Sequence, residues 1–408
     1  MGQAKYKICK LNKVAWFQEG PGVRKSQFRT SGVKLLNVRN ICDRKLVLDK
    51  TSIYISEEEA YGKYKHFLID EGDLLIASSG IKVDYFDKKI TFAKKEHLPL
   101  CMNTSTIRFK VLDETQLDIH YLRHFLASRY FTRQVQFYIT GSAQLNFGPS
   151  HLNEMTIILP SLVEQKKIAK ILDKADEIRI KKKQANEKLD EFLKSTFVDM
   201  FGNPVKNEKH YKQIALAEIG KFKNGINFNS DDNGYTIKCI GVGDFKNNIM
   251  LNCVNNIKNV ELNQQPSEEY FLRKNDIIFV RSNGSKELVG RTLLINTDLS
   301  ESVVYSGFCI RLRVGRENIN NMFLLELLNT KPIKENMKND GHGCNIKSLN
   351  QSILGNIPVI LPPIEEQNKF AQIVEKVEEQ KQKNEEVIRQ MDNLFNSLSQ
   401  QAFKGELQ

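Results

Sequence analysis

The feature that most constrains this chain is one phrase that occurs twice. LPSLVEQKKIAKIL runs from Leu159 to Leu172, and LPPIEEQNKFAQIV runs from Leu361 to Val374, 202 residues later in a chain of 408. A period near 200 residues is too long for a solenoid repeat and has the size of a domain. The spacing therefore predicts two copies of one folding unit.

Shorter matches follow in the same order on both sides. DLLIASSG from Asp73 matches DIIFVRSN from Asp276, 203 residues later. STIRFK and FCIRLR repeat that offset, and the opening segment YKICKLNKVAWFQEG recurs as YKQIALAEIGKFKNG from Tyr211. One such match could arise from strand composition alone, but several in one order indicate tandem duplication.

Each copy of the phrase opens a long helical pattern without proline or glycine. The LP(P) element ends a strand, because proline neither continues a ladder nor sits inside a helix. About 37 residues then form a rod of about 50 Å, which needs an apolar partner to be stable in water. Apolar positions recur at spacings of four and three, as in a coiled-coil seam. The candidate packing residues are Ile168, Leu172, Ala175, Leu189, Leu193, Phe370, Val374, Val377, Ile388, Met391 and Phe395.

Two matching rods most simply pack on each other. We expect them to run antiparallel, because two copies related by a two-fold axis have rods that point in opposite directions. Polar residues in the middle of each seam, such as Asn186 and Asn384, weaken a coil but fix its register. Ile171 and Phe192 widen the apolar stripe beyond a two-stranded seam. The alternative, in which each helix lies on its own globular segment, stays open.

Composition favours a polyanionic partner. The net charge is +11 and the sequence pI is about 9.1, which suits DNA or RNA. No apolar run approaches the roughly 20 residues that span a bilayer, and the first residues contain no apolar signal region. We therefore expect a cytoplasmic protein.

The two apolar strands break into polar loops that differ between the copies. SSGIKVDYF stands against RSNGSKELVG, and TGSAQLNFGPSHL stands against GHGCNIKSLNQSI. Arg and Asn at a loop tip can bond guanine and adenine edges, but they can equally hold phosphates or face water. Drift of surface loops after duplication explains the same differences. The candidate DNA-binding residues are Ser78, Ser79, Gly80, Lys82, Gln144, Asn146, Arg281, Ser282, Asn283, Lys286, His342, Asn345 and Lys347.

Catalytic signatures are missing from the sequence. There is no G-x-x-x-x-G-K-[ST] phosphate loop and no G-x-S-x-G elbow, and GNPV at 202–205 lacks the second proline and the ring of a [DN]-P-P-[FY] loop. Asp73 and Asp276 begin strands as nuclease acids can, but no spaced E-x-K follows, so we interpret both as turn residues. His120 and His124 lack a third ligand nearby, which favours ordinary helix residues over a metal site. The sequence indicates a binding protein without catalytic residues.

These residues resemble a known family. Two variable globular segments, each closed by a proline phrase, here IILPSLVEQKKIAKIL and VILPPIEEQNKFAQIV, and by a long helix, are similar to the specificity subunit of type I restriction–modification systems. The tail LFNSLSQQAFKGEL and the segment FLKSTFVDMFGNP also look like the ends of that family's two helices. The resemblance covers nearly the whole chain, and Ser161 in place of Pro363 is its one departure.

The resemblance implies an α+β architecture: two similar globular α/β target-recognition domains separated by two long, antiparallel coiled-coil helices. The boundaries would be 1–160 and 203–362 for the domains, and 161–202 and 363–408 for the helical spacers. Each domain would recognise one half of a split, asymmetric DNA site, with half-sites about one helical turn, roughly 34 Å, apart.

The same resemblance implies the partners. These are double-stranded DNA, two copies of a DNA methyltransferase subunit docked on the helices, and a restriction–translocase subunit that can join them. This chain would bind no cofactor itself, since S-adenosylmethionine, ATP and Mg belong to the partner subunits. Two alternatives stay open: a tether whose coils assemble other proteins without recognising DNA, and the recognition part of a fused restriction–methylation enzyme.

Overall fold

The computed structural model describes residues 6–139, 145–245, 249–283, 288–339 and 348–404. Their contacts divide the chain into two compact units. Unit 1 consists of the described residues within 1–183 and 385–408, and unit 2 of those within 184–384. Each unit thus contains one globular segment and parts of both long helices.

Unit 1 is built from short strands and four short helices before the first long helix. The strands are β1 (Lys7–Lys10), β2 (Ala15–Glu19), β3 (Val33–Leu35), β4 (Ile41–Cys42), β5 (Lys45–Leu46), β6 (Tyr54–Ile55), β7 (Leu74–Ala77), β8 (Ile90–Phe92), β9 (Leu100–Cys101), β10 (Thr106–Val111) and β11 (Thr156–Leu159). The helices are α1 (Glu57–Tyr61), α2 (Ile119–Ala127), α3 (Arg129–Tyr138), α4 (Pro149–Glu154) and the long α5 (Leu162–Phe201), whose first part belongs to this unit.

Unit 2 repeats this series of elements. Its strands are β12 (Lys212–Ala215), β13 (Gly220–Asn224), β14 (Tyr235–Ile240), β15 (Met250–Leu251), β16 (Asn259–Leu262), β17 (Asp276–Val280), β18 (Thr292–Ile295), β19 (Val303–Tyr305), β20 (Cys309–Val314) and β21 (Pro358–Leu361). Its helices are α6 (Asn321–Asn329), α7 (Lys331–Asn339), α8 (Gln351–Gly355) and the first part of the long α9 (Ile364–Lys404).

Three sheets of each unit share one strand order, although unit 1 has an additional pair, β4-β5, and β15 extends the largest sheet of unit 2. Unit 1 contains sheets β2-β10-β7-β8, β6-β3-β9 and β1-β11, and unit 2 contains β13-β20-β17-β18-β15, β16-β14-β19 and β12-β21. In both units the three-stranded sheet has a parallel pair, β3 with β9 and β14 with β19, beside an antiparallel one. The predicted duplication is therefore confirmed at the level of strand order.

The central strands are apolar throughout because both of their faces are buried. β7 (LLIA) and β17 (DIIFV) lie inside their sheets and every residue of each is buried, as expected for continuous apolar runs. In unit 1 their core includes Phe109 and Phe125, and it extends to Leu172 of α5 and Phe395 of α9.

The core of unit 2 takes the complementary parts of the long helices. Phe197 and Phe201 of α5 and Phe370 of α9 surround Phe323 of α6, with ring centroids 4.9–5.9 Å apart. Within the described ranges, no helix combines the length and apolar character that a membrane crossing needs.

Candidate nucleic-acid interface

The two polar loops that the sequence singled out in unit 1 lie next to each other. Ile81 and Leu145 form an antiparallel bridge, with the Leu145 N–H donating to the Ile81 carbonyl at 2.7 Å. Asn146 Oδ1 accepts from Ser79 Oγ and from the Gly80 N–H, both at 2.8 Å. Gly80 has φ +70°, a conformation that glycine adopts without a steric cost. Residues distant in the chain thus form one exposed polar surface.

The other candidates of unit 1 lie close to that surface but differ in exposure. Lys82 is exposed, whereas Ser78 is buried and its carbonyl accepts from the Phe147 N–H at 3.0 Å. Ser78 therefore supports the loop rather than lining its surface. Its contact with DNA, like that of the exposed residues, stays a prediction.

Unit 2 joins the corresponding loops in the same way. Ser282 and Ser348 form an antiparallel bridge, and the Leu349 N–H donates to the Arg281 carbonyl at 2.8 Å. Arg281, Ser282 and Asn283 are half-buried there. Gln144, Lys286, His342, Asn345 and Lys347, the remaining candidates, lie outside the described residues.

The strand-start aspartates hold the base of each loop strand. Asp73 accepts from the Asp70 N–H at 2.9 Å and from Arg108 Nη1 at 3.1 Å. Asp276 accepts from the Arg273 N–H at 2.8 Å and takes both Nε and Nη2 of Arg313, at 2.9 and 2.7 Å. The interpretation of both as turn residues is confirmed. Each aspartate also forms an ion pair with an arginine, which the sequence did not indicate.

The long helices pack on each other in antiparallel order, as the contacts inside unit 2 establish. Asn384 Nδ2 donates to Asn186 Oδ1 at 2.7 Å, and Lys381 Nζ lies 2.8 Å from Asp190 Oδ1. Phe370 meets Phe197 seven residues further along α5. Residues later in α5 therefore contact residues earlier in α9, and the antiparallel prediction is confirmed.

The predicted seam residues are mostly buried, but not against the other helix alone. Ile168 and Leu172 belong to the core of unit 1 together with Phe395, while Leu193, Phe370, Val374 and Val377 belong to the core of unit 2. Ala175 is buried, Leu189 packs against the core of unit 2, and Ile388 and Met391 are half-buried. The helices therefore satisfy both arrangements that the sequence left open, pairing with each other and lying on the globular segments.

A buried ion cluster fixes α5 to unit 1. Arg123 lies 2.9 Å and Arg179 3.1 Å from Asp176, which Arg44 also contacts. Burial alone would raise the pKa of Asp176, but the three guanidinium groups bring it below its usual range. Arg179 also bonds Asp392 of α9 at 2.9 Å, so the cluster ties both helices to the globular segment.

The repeated EQ dipeptide of the phrase has a specific role in unit 1. Gln165 is fully buried, and its Oε1 accepts from the N–H of Asp118, the N-cap of α2, at 2.9 Å. Its Nε2 donates to the carbonyls of Gln116 and Pro160, at 2.9 and 3.0 Å. The glutamine thus joins the start of the long helix to the start of α2.

Gln367 makes the same connection in unit 2. Its Oε1 accepts from the N–H of Asn320, the N-cap of α6, at 2.9 Å, and its Nε2 donates to the Pro362 carbonyl at 2.8 Å. Each glutamine hydrogen-bonds several backbone groups at the start of its long helix. The phrase is repeated because both long helices are attached to their globular segments by the same hydrogen bonds.

The two histidines on α2 are structural. His124 is buried and its Nε2 lies 2.8 Å from Asp173 Oδ1, while His120 reaches the same carboxylate at 3.4 Å. Burial lowers the pKa of His124 despite the bond to Asp173. In the described part of the chain, no group of three His, Cys, Asp or Glu side chains could hold a metal ion.

Comparison with known proteins places the chain in a family. The family model of the type I restriction modification DNA specificity domain matches residues 4–191 and again 208–389. The chain therefore belongs to this family, which confirms the resemblance seen in the sequence.

Individual relatives agree with this assignment. The chain is 26% identical to the type I restriction enzyme StySPI specificity subunit of Salmonella potsdam over 318 residues, 72% of this chain and 66% of that protein. It is 23% identical to the EcoKI specificity subunit of Escherichia coli K12 over 363 residues, 83% of this chain and 75% of that protein. The fold is similar to that of the S subunit of the M. genitalium type I restriction–modification system, with a TM-score of 0.54, 17% identity, and coverage of 98% and 96%.

Proposed function

We propose that the chain is a non-catalytic DNA-recognition subunit in which the globular domains 1–160 and 203–362 each recognise one half of a bipartite, asymmetric site. The observation that supports this most is the pairing of loops in both units. In each unit a short antiparallel bridge brings two polar loops together, and the residues there differ: Ser79, Gly80 and Asn146 in unit 1, Arg281 and Ser282 in unit 2. Two recognition surfaces for two different half-sites need this combination.

The half-site assignment is tested with one substitution in each unit. Lys82→Ala should alter only the preference for one half of the DNA site, and Arg281→Ala only the preference for the other half. A lost base contact lowers affinity for the preferred base by about 1–3 kcal/mol, roughly 5- to 150-fold. Selection from a random duplex pool by the assembled complex measures both halves together. Variants that weaken both halves equally would contradict the assignment.

Salt dependence separates DNA recognition from a tether function. When the cations of a protein neutralise DNA phosphates, the logarithm of its affinity for duplex DNA falls linearly with the logarithm of the salt concentration. We expect such a slope for the wild-type chain with a random duplex pool. Affinity that does not fall as salt rises would favour a tether whose coils only assemble other proteins.

Exposed apolar side chains on the long helices provide docking surfaces for two methyltransferase subunits, one at each unit. Ile171 and Leu394 are exposed in unit 1, and Phe192 and Val198 are exposed in unit 2. We expect these side chains to contribute to protein interfaces, since large exposed apolar patches mark such sites. Under this proposal S-adenosylmethionine, ATP and Mg bind only the partner subunits, and the complex works in the cytoplasm.

The docking proposal is tested by co-purification with the cognate methyltransferase subunit. Phe192→Ser should weaken docking at unit 2 while leaving the fold intact, because the side chain is half exposed. Glu191→Ser, on the neighbouring exposed position, is the matched control. Methyl transfer should require the partner, and transfer by the purified chain alone would contradict the non-catalytic function.

A further inference from the structure

Unit 1 contains a basic cleft of about 530 Å³ outside the two loops. The charged residues that line it are Arg44, Asp87, Lys88, Arg129, Arg133, Arg179 and Asp392. A cleft of this volume can hold a phosphodiester with its neighbouring sugars.

The acidic groups of the cleft are already paired. Arg44 Nη2 lies 2.6 Å from Asp87 Oδ2, and Arg179 Nη1 lies 2.9 Å from Asp392 Oδ1. The Arg44 guanidinium also lies over the Phe395 ring at 5.4 Å, which fixes its position. The described lining thus contains five cationic side chains and only these two carboxylates.

Three cations at the rim have no carboxylate partner among the described residues. Arg129 and Arg133 are exposed one turn apart on α3, and Lys88, which lines the same cleft, is half-buried. Arginine guanidinium groups suit phosphate oxygens because they donate in a planar fork. The cleft therefore has an uncompensated positive rim that matches a phosphate group.

The corresponding position in unit 2 lacks this charge. Helix α7 carries Lys331 and Glu335 where α3 carries Arg129 and Arg133, and the two form an ion pair at 3.8 Å. A partner that docks as two identical copies would need the same contact in both units. A ligand whose two halves differ needs no such symmetry, and among the proposed partners that ligand is DNA.

The cleft also adjoins the recognition loops along the chain. The 3₁₀ segment that carries Lys88 begins directly after Lys82, and α3 ends eight residues before Asn146. Arg133 lies about 8 Å from the end of its helix, and a duplex carries a phosphate about every 1.7 Å along its axis. We therefore expect a duplex on the loops to present backbone phosphates near the cleft.

We propose that this cleft binds a DNA backbone phosphate that flanks the half-site recognised by unit 1, through Arg129, Arg133 and Lys88. The proposal rests on the proposed function. It assigns to unit 1 an anchor that carries no sequence information and that unit 2 does not possess.

The test compares Arg129→Gln/Arg133→Gln with Lys7→Gln/Lys13→Gln in the full chain. The control removes two exposed lysines of the same unit that lie outside the cleft, so the net charge is the same. Affinity for a random-sequence duplex is measured between about 50 mM and 200 mM salt. Each phosphate contact contributes about 0.9 to the slope of log affinity against log salt. We expect the arginine variant to lose about 0.9 unit of slope and roughly tenfold in affinity, and the control to lose less than half a unit.

Further measurements distinguish a failure of the phosphate cleft from a failure of DNA recognition. Arg133→Lys should keep most of the slope, and all variants should melt at the wild-type temperature, because the substituted side chains are exposed. A wild-type slope with no difference between arginine variant and control overturns the phosphate cleft but not DNA recognition, whereas no wild-type slope overturns both. Two other results, each with an unchanged duplex slope, would also overturn the proposal. Loss of methyltransferase co-purification would assign the cleft to a protein carboxylate, and loss of fluorescent ATP binding would assign it to a nucleotide.

Discussion

Glu326 provides a prediction whose size follows from the structure. This residue of α6 occupies the position that His124 has in α2, and its Oε1 atom is buried with no hydrogen-bond partner among the described residues. Burial, and then the nearby carboxylate of Glu378, raise the pKa of Glu326 to about 7. The folded unit therefore prefers the neutral acid.

The sign of the pH effect follows from this direction. Because the folded pKa lies above the unfolded one, the contribution of Glu326 to stability is fully present below about pH 4.5 and is lost as pH rises through about 7. A shift of roughly 2.5 units corresponds to about 3 kcal/mol. Part of the side chain reaches solvent, which screens the effect, so we expect about 1–2 kcal/mol.

The perturbation is Glu326→Gln, which keeps the shape and removes the charge. At about pH 8 the variant should be more stable than wild type by about 1–2 kcal/mol, or roughly 2–8 °C in Tm for a unit of this size. At about pH 5 the two should differ little. Hydrogen exchange in α6 and thermal melting across this pH range measure the effect.

Glu379→Gln is the matched control. Glu379 lies on α9, and its hydrogen bond from Lys383 lowers its pKa, so its removal should not stabilise the protein as pH rises. A Glu326→Gln variant that is destabilised equally at both pH values would refute the reasoning. So would a control with the same pH-dependent gain.

Four further perturbations test the helices and strands. Gln367→Ala should lower the stability of unit 2 by about 2 kcal/mol, because it leaves the buried N-cap amide of α6 without its acceptor; melting measures this, and an unchanged Tm would contradict it. Asn186→Leu with Asn384→Leu should raise Tm but loosen helix register, seen as faster hydrogen exchange in α5 and α9; slower exchange throughout would contradict it. Asp276→Asn should cost about 2–3 kcal/mol because Arg313 loses its carboxylate, and a loss under 1 kcal/mol in denaturant unfolding would count against this. Deleting one heptad from α5 alone should change the gap between recognised half-sites or abolish assembly, and an unchanged gap in a fully assembled complex would show that the helices do not set it.

The sequence predicted the architecture well because its signals were periodic and repeated. The duplication, the long helices and their polar mid-seam at Asn186 and Asn384 follow from spacing alone. The repeated glutamine was visible too, but its partners Asp118 and Asn320 lie 47 residues earlier in the chain. Spacing cannot indicate such a bond, because only the fold brings the two residues together.

The candidate site was predicted less completely for the same reason. The loops could be named from their composition, but the bridge between Ile81 and Leu145 that joins them is non-local. The basic cleft was missed because Lys88, Arg133 and Arg179 come from three separate segments. One feature of the sequence could have indicated the cleft. Arg133 aligns with Glu335 in the other copy, so the charge at this position of the helix is reversed between the two copies.

Phe395 has a consequence for how the protein is made. It lies in the core of unit 1 near His124, 5.7 Å between ring centroids, although most of that core comes from the first 172 residues. On the ribosome, the core of unit 1 therefore stays incomplete until the part of α9 that carries Phe395 has been synthesised. Folding of unit 1 thus depends on the synthesis of α9, and a product truncated before Phe395 leaves the core of unit 1 exposed to proteases and chaperones.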